Sequence, residues 1–228
     1  MGIQRKDAVR TRERLLDSAA AVFADKGFRA ATISEISAKA GANIAAVNYH
    51  FGSKERLYVE AWKYAFNEAI KAHPPDGGVS ADAPPEERLR GQISALIYRI
   101  ADRGNREFRI MQQEIFDPTD LLDEATRELL DSLRTRTQKL VRELLGPSVP
   151  EDLAGYCELS IVNQCISPIV FGRPGKERRK GKERRREFRF DIEKYAAHVT
   201  QFSLAGLKAV RMEFEGNTEL RKRKQARS

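Results

Sequence analysis

Apolar residues recur along this chain at spacings of three and four rather than two, and a series of helices follows from that rhythm. Leu15, Leu16, Ala19, Val22 and Phe23 predict a first helix over about Thr11 to Asp25, closed by Gly27, with Phe28 packing beneath the elements that follow. Residues 2–9 ahead of it are polar and basic and are expected to be disordered. Ile33, Ile36 and Ala40 mark a second helix, Val47 and Phe51 a third. A fourth starts at Ser53 and carries Leu57, Tyr58, Ala61, Trp62, Ala65, Phe66 and Ile70. Residues 74–85, PPDGGVSADAPP, hold no large apolar side chain except Val79 and predict a linker or mobile loop. Leu89, Ile93, Leu96, Ile97 and Ile100 resume the rhythm, and Phe108, Met111, Ile115 and Phe116 continue it to Asp117-Pro118. Thr119 is placed to cap a long helix that ends at Gly146-Pro147. Two more helices are expected over about Glu151 to Phe171 and Phe190 to Met212. No segment alternates as a half-buried strand does, so the fold class is all-α.

The stretch from Thr32 to Lys54 has the layout of a helix, a tight turn and a second short helix, the geometry that seats a helix in the DNA major groove. Thr32 suits a helix N-cap, with Glu35 three residues on as a capping box requires. Gly41 comes where the chain must turn with positive φ, and Asn43 suits the next cap. Val47 and Phe51, four apart, would seat the second helix. Ile44, Ala45, Ala46, Asn48, Tyr49 and His50 are left outward or sideways with no acidic residue among them, which suits contact with a polyanion. Spacing alone is equally that of an ordinary helical hairpin.

The wording of the stretch goes further. The Thr-initiated helix, the Ala40-Gly41 turn, the Tyr49-His50-Phe51 ending and the following Ser53-Lys54-Glu55-x-Leu57 resemble the DNA-binding domain of TetR-family transcriptional regulators over residues 8–62. The string AAVNYHFGSKERLY is similar to one subgroup, whose C-terminal domain resembles that of the cephalosporin- and chloramphenicol-sensitivity repressor. Ala45-Ala46-Val47-Asn48 stand where many members have Gly-Thr-Leu-Tyr, so no operator sequence carries over. The resemblance implies a three-helix helix-turn-helix domain at 8–55, a larger helical effector-binding and dimerisation domain at 56–212, and a basic tail at 213–228, read as disordered. It also implies a homodimer on a palindromic DNA operator, released by a small-molecule effector, with repression as the family default. Thr32, Tyr49, His50 and Lys54 match family positions on the phosphate backbone; Ile44, Ala45, Ala46 and Asn48 fall where bases are read.

Two further sets of residues are candidates in the larger domain. Tyr98, Phe108, Met111, Gln112, Phe116, Tyr156, Asn163 and Gln164 mix apolar surface with amides and hydroxyls, as a ligand pocket does; a plain core with its polar groups turned outward has the same composition. Tyr195, Val199, Phe202, Gly206 and Val210, with Ile161, Cys165 and Ile169 facing them, give two apolar surfaces that would form either a dimer interface or the domain core. In the resembled family the last two helices pair across the dimer.

Composition narrows the picture without carrying it. The 228 residues have a net charge of +8, but residues 1–62 hold ten Lys/Arg against seven Asp/Glu, whereas residues 173–189 alone hold ten against three. The excess sits far in sequence from the reading helix, so basicity supports DNA binding only weakly. It leaves open an alternative of another class, a basic scaffold that binds nucleic acid without sequence preference through 173–189 and the tail. No run of 18 apolar residues offers a membrane span, and no signal-peptide core is present. Two cysteines make no disulfide framework, so a reducing cytoplasm is the expected setting. His50, His73 and His198 have no metal-ligand spacing; no nucleophile elbow, phosphate loop or dinucleotide fingerprint occurs. No metal, cofactor or enzymatic activity is expected. The Glu114 and Asp117 carboxylates, at a helix end, are read as structural or solvated.

Overall fold

The computed structural model describes the backbone of residues 2–171 and 191–225 and the side chains of residues 6–167 and 191–216. The helical rhythm is realised as nine α-helices among the described residues: α1 (Gly2–Ala30), α2 (Ile33–Ala40), α3 (Ile44–Phe51), α4 (Lys54–Ala72), α5 (Pro85–Ala101), α6 (Arg106–Phe116), α7 (Asp123–Leu145), α8 (Glu151–Phe171) and α9 (Ile192–Gln225). None of them is long and apolar enough to cross a membrane. α1 starts at Gly2, so residues 2–9, expected to be disordered, extend the helix instead. Once a helix is nucleated by packing, each further residue costs little to add. Gly27 does interrupt it, at φ 74 and ψ 175. At the other end α9 runs on through Gln225, which corrects the expectation of an unstructured tail from 213. Within this stretch Arg211 pairs with Glu215 one turn on at 2.7 Å. The basic segment 173–189 lies outside the described residues.

The chain forms two compact units, Met1–Ala72 with Asp102–Leu130, and His73–Ala101 with Asp131–Ser228. The first thus holds more than a helix-turn-helix: α4 and α6 belong to its core. Leu15, Phe23, Ile36, Leu57, Tyr58, Trp62 and Ile110 are fully buried there. Charged groups that the sequence leaves unassigned tie α6 to α1. Arg106 pairs with Asp17 and Arg109 with Asp25, while Arg29 Nε lies 2.9 Å from Asp117 Oδ1. Tyr58 donates its phenolic proton to Glu114 at 2.6 Å, and burial together with that carboxylate pushes the phenol well above its ordinary range. Glu114 also accepts from the Thr119 hydroxyl at 2.8 Å and from its backbone N–H at 3.0 Å. The two carboxylates are therefore structural. The Thr119 hydroxyl accepts from Leu121 N–H at 3.3 Å and so closes a turn ahead of α7, which begins only at Asp123, and does not cap that helix.

In the second unit Leu89, Ile93 and Ile97 of α5 meet Leu140, Val141 and Leu145 of α7, Ile161 and Cys165 of α8, and Val199 and Leu207 of α9. Burying each of these large side chains is worth about 1.5–3 kcal/mol. The proline-rich stretch after α4 is no free linker. Its turns are closed by Gly77 N–H to Pro74 O at 2.9 Å and Val79 N–H to Asp76 O at 3.2 Å, and Arg88 Nε donates to Ala83 O at 2.9 Å. The loop lies so close on α5 that a Cβ on Gly91 would stand 2.4 Å from Asp76 O. Only a residue without a side chain fits there, a requirement invisible in local composition.

Candidate nucleic-acid interface

α2 is held by short-range devices. Thr32, extended at φ −119 and ψ 147, accepts from Glu35 N–H at 3.2 Å. Glu35 does not return the bond; it turns to Lys26, 2.7 Å away, so the capping box is half made. Gly41 takes the left-handed conformation at φ 58 and ψ 40, and its N–H reaches Ala38 O at 3.1 Å. Asn43 Oδ1 then accepts from Ala45 N–H at 3.0 Å and starts α3. Val47 and Phe51, 1% and 5% exposed, seat α3 as their spacing requires.

The face of α3 left outside is the one expected. Ile44 is 47% exposed and Tyr49 81%, with Ala45 and Asn48 exposed and Ala46 and His50 half-buried. A tyrosine so exposed contributes little to the fold, so its body is free for a partner. Tyr49 packs edge-on to His50, ring centroids 5.0 Å apart, which steadies both. Lys54, half-buried, holds its ammonium 4.6 Å from the centre of the Phe28 ring. Phe28 in turn leans on Tyr58, 5.1 Å away. The charge that follows α3 is thus placed by an aromatic stack and not by its flexible stem. Two cations escaped the sequence reading: the Arg14 guanidinium comes within 4.0 Å of a Cβ built on Gly41, and Arg56 within 4.0 Å of one on Gly52. Both are exposed, and they bracket α3 at its two ends. Their signal was available only as basic residues facing the two glycine turns. α3 itself carries no acidic residue.

The remaining candidates are placed as follows. Phe108, Met111, Gln112 and Phe116 lie on α6 in the first unit, Tyr98, Tyr156, Asn163 and Gln164 in the second. None of them lines the cavities described within either unit, and Phe116 and Tyr156 are 74% and 62% exposed. Of the pairing candidates, Ile161, Cys165 and Val199 are buried in the second unit's own core. Tyr195, half-buried, donates to Gln164 O at 2.5 Å, and Val210 is half-buried; Phe202 and Gly206 are exposed. Ile169 lies outside the described side chains. A different stripe of α9 faces outward: His198, Phe202, Ala205, Ala209 and Met212, at alternating spacings of four and three. Among the described side chains of α8, Tyr156 and Leu159 are the large apolar residues left exposed.

Both cysteines are free thiols, and burial pushes Cys165 up to about 12 and raises Cys157 as well. A thiol held protonated is a poor nucleophile. After mild peroxide the protein is expected to run as a monomer in non-reducing electrophoresis; a covalent dimer would show that one thiol reaches a partner. Among the described residues no group of His, Cys, Asp and Glu is arranged to hold a metal ion.

Comparison with known proteins agrees with this layout. The family model "Bacterial regulatory proteins, tetR family" matches residues 15–61, and "HTH-type transcriptional dual regulator CecR, C-terminal domain" matches residues 85–207. The chain is 28% identical over 156 residues to the uncharacterized HTH-type regulator YerO of Bacillus subtilis and 30% over 152 to the HTH-type repressor NicS of Pseudomonas putida. These stretches take in 68% and 65% of this chain but only 53% and 62% of those relatives. The solved structure of a TetR-like regulator from Rhodococcus sp. RHA1 superposes with a TM-score of 0.60 at 19% identity, over 87% of this chain and 96% of that one. At that identity the likeness speaks for the all-α fold alone.

Proposed function

This chain belongs to the TetR family of bacterial transcriptional regulators, with a C-terminal domain of the CecR type, and we propose that it is a repressor that reads a palindromic operator as a homodimer and leaves it when a small-molecule effector binds. A DNA-binding regulator, it is not an enzyme. One observation carries the reading: α3 is seated by Val47 and Phe51 so that Ile44, Ala45, Asn48 and Tyr49 stand outside, without an acidic residue on the helix. In a major groove the Asn48 amide would pair with an adenine edge and the Ile44 and Ala45 side chains would pack on thymine methyls. Thr32 at the start of α2, Tyr49, His50 and Lys54 would hold phosphates, joined by Arg14 and Arg56. Repression is supported by the name of NicS, a repressor. The functional division at 8–55 and 56–212 is retained as reader and effector domain, although α4 and α6 pack with the reader.

The homodimer is supported by the outward stripe of α9 and by Tyr156 and Leu159 of α8, and it replaces the buried Ile161, Cys165 and Val199 as the pairing surface. Two reading helices on a two-fold axis would ask for half-sites about one helical turn, roughly 34 Å, apart. An effector must favour the DNA-incompetent arrangement, since equal affinity for both shifts nothing.

Selection of bound sequences from random duplex DNA tests the proposal. A single short palindrome enriched by the full chain is expected; enrichment without a consensus would point to the basic scaffold instead. On that palindrome Asn48→Ala is expected to cost about 1–3 kcal/mol and to relax preference at one or two base pairs. Arg56→Ala should weaken all sequences alike and lower the salt slope by about one. An Arg56→Ala protein with altered base preference and an unchanged slope would exchange the two roles.

A further inference from the structure

Within the second unit, α5 and α7 enclose a cavity of about 60 Å³, partly open, that none of the sequence candidates lines. Gln92, Leu96 and Arg99 reach it from one face of α5, and Leu133, Arg136 and Thr137 from one face of α7. His73, the first residue after α4, closes one side. Three of the lining residues are basic types and none is acidic. Arg99 is only 7% exposed, so its guanidinium meets the cavity in surroundings that screen charge far less than water does. Arg136 is half-exposed, and the Asp76 carboxylate lies 3.9 Å from its guanidinium. The Thr137 hydroxyl and the Gln92 amide oxygen lie 3.3 Å apart and add polar groups that fix orientation. The rest of the wall, with Leu96 and Leu133, is apolar.

We propose that this cavity binds the carboxylate of a small organic acid, with Arg99 and Arg136 as the charged contacts and Leu96 and Leu133 receiving the apolar remainder. A planar guanidinium presents paired N–H donors that match a carboxylate's two oxygens, which neither a neutral amide nor an alcohol offers. The volume holds roughly four waters, enough for a carboxylate and its first carbons, and the open side lets a longer chain project. The role of this acid as the effector rests on the repressor reading above. His73 directly follows Ala72, so a ligand touching it acts on the chain where it leaves α4.

Calorimetric titration of the full-length protein, without DNA and at constant ionic strength, with hexanoate, benzoate, their uncharged amides and inorganic phosphate tests the site. At least one carboxylate is expected to bind about tenfold more tightly than its amide and than phosphate. Arg136→Gln, at a half-exposed position that the core does not need, should weaken that carboxylate about tenfold, and Arg99→Lys should weaken it while keeping the charge. Amides that bind as well as the acids, phosphate that binds as well as either, or variants that bind the acid unchanged would overturn the site. A carboxylate that binds at Arg136 yet leaves affinity for the selected palindrome unaltered would overturn the effector role. Failure of all the probes to bind would overturn the site and leave the operator reading standing, because the selection experiment is read without ligand.

Discussion

Phe202→Glu is expected to abolish tight operator binding while leaving the fold intact. Phe202 is 61% exposed on α9 and no part of the second unit's core, so the substitution removes little that the monomer uses. In a two-fold interface each copy would bring the new carboxylate beside its symmetry mate, and burying like charges without partners is costly. His198 lies one turn before it, ring centroids 6.2 Å apart, and Ala205 and Ala209 follow on the same stripe, so the charge would fall in the middle of the face. Two reading heads on one dimer bind as a chelate; separated, they are expected to lose at least roughly a hundredfold in affinity for a palindrome. Sedimentation should show monomers, anisotropy the lost affinity, and thermal melting a midpoint near that of the wild type. A Phe202→Glu protein that stays dimeric would place the interface elsewhere. Val199, one turn-fraction away and 1% exposed, provides the contrast: its truncation should lower stability first.

Gly91→Ala is expected to be among the most damaging single-methyl additions in the chain. The new Cβ would stand 2.4 Å from Asp76 O and 2.7 Å from Val79 Cγ2. One of these is backbone, held in a turn whose own hydrogen bonds oppose its retreat. Forcing the loop off α5 should cost about 3 kcal/mol, which in a chain of this size corresponds to roughly 6–12 °C in melting temperature. Gly155→Ala is the control, since nothing lies within 4 Å of its Cβ position in α8. There the gain in helix propensity should raise stability by about 0.5–1 kcal/mol. Equal melting points for the two variants would mean that the proline-rich stretch is the free linker its composition suggests.

Sequence by itself determined whatever depends on neighbours a few residues apart. Thr32, Gly41, Asn43 and Ser53 act on backbone groups two to four positions away, so helix, turn and reading helix were legible before any packing was known. The exposed face of α3 followed as well, because two buried residues four apart leave only one way for an eight-residue helix to lie. Tertiary structure alone decided which surface covers which stripe. An apolar row says that something must cover it but not what, so Ile161, Cys165 and Val199 suited an interface as well as a core, and only the packing of α5 and α7 shows that the core covers them. The same holds for Lys54 on Phe28, for α6 tied to α1 through Asp17 and Asp25, and for Gly91 beneath Asp76. Each pairs residues distant in the chain, whose approach is set by the summed packing of several helices and leaves no periodic trace in any one of them.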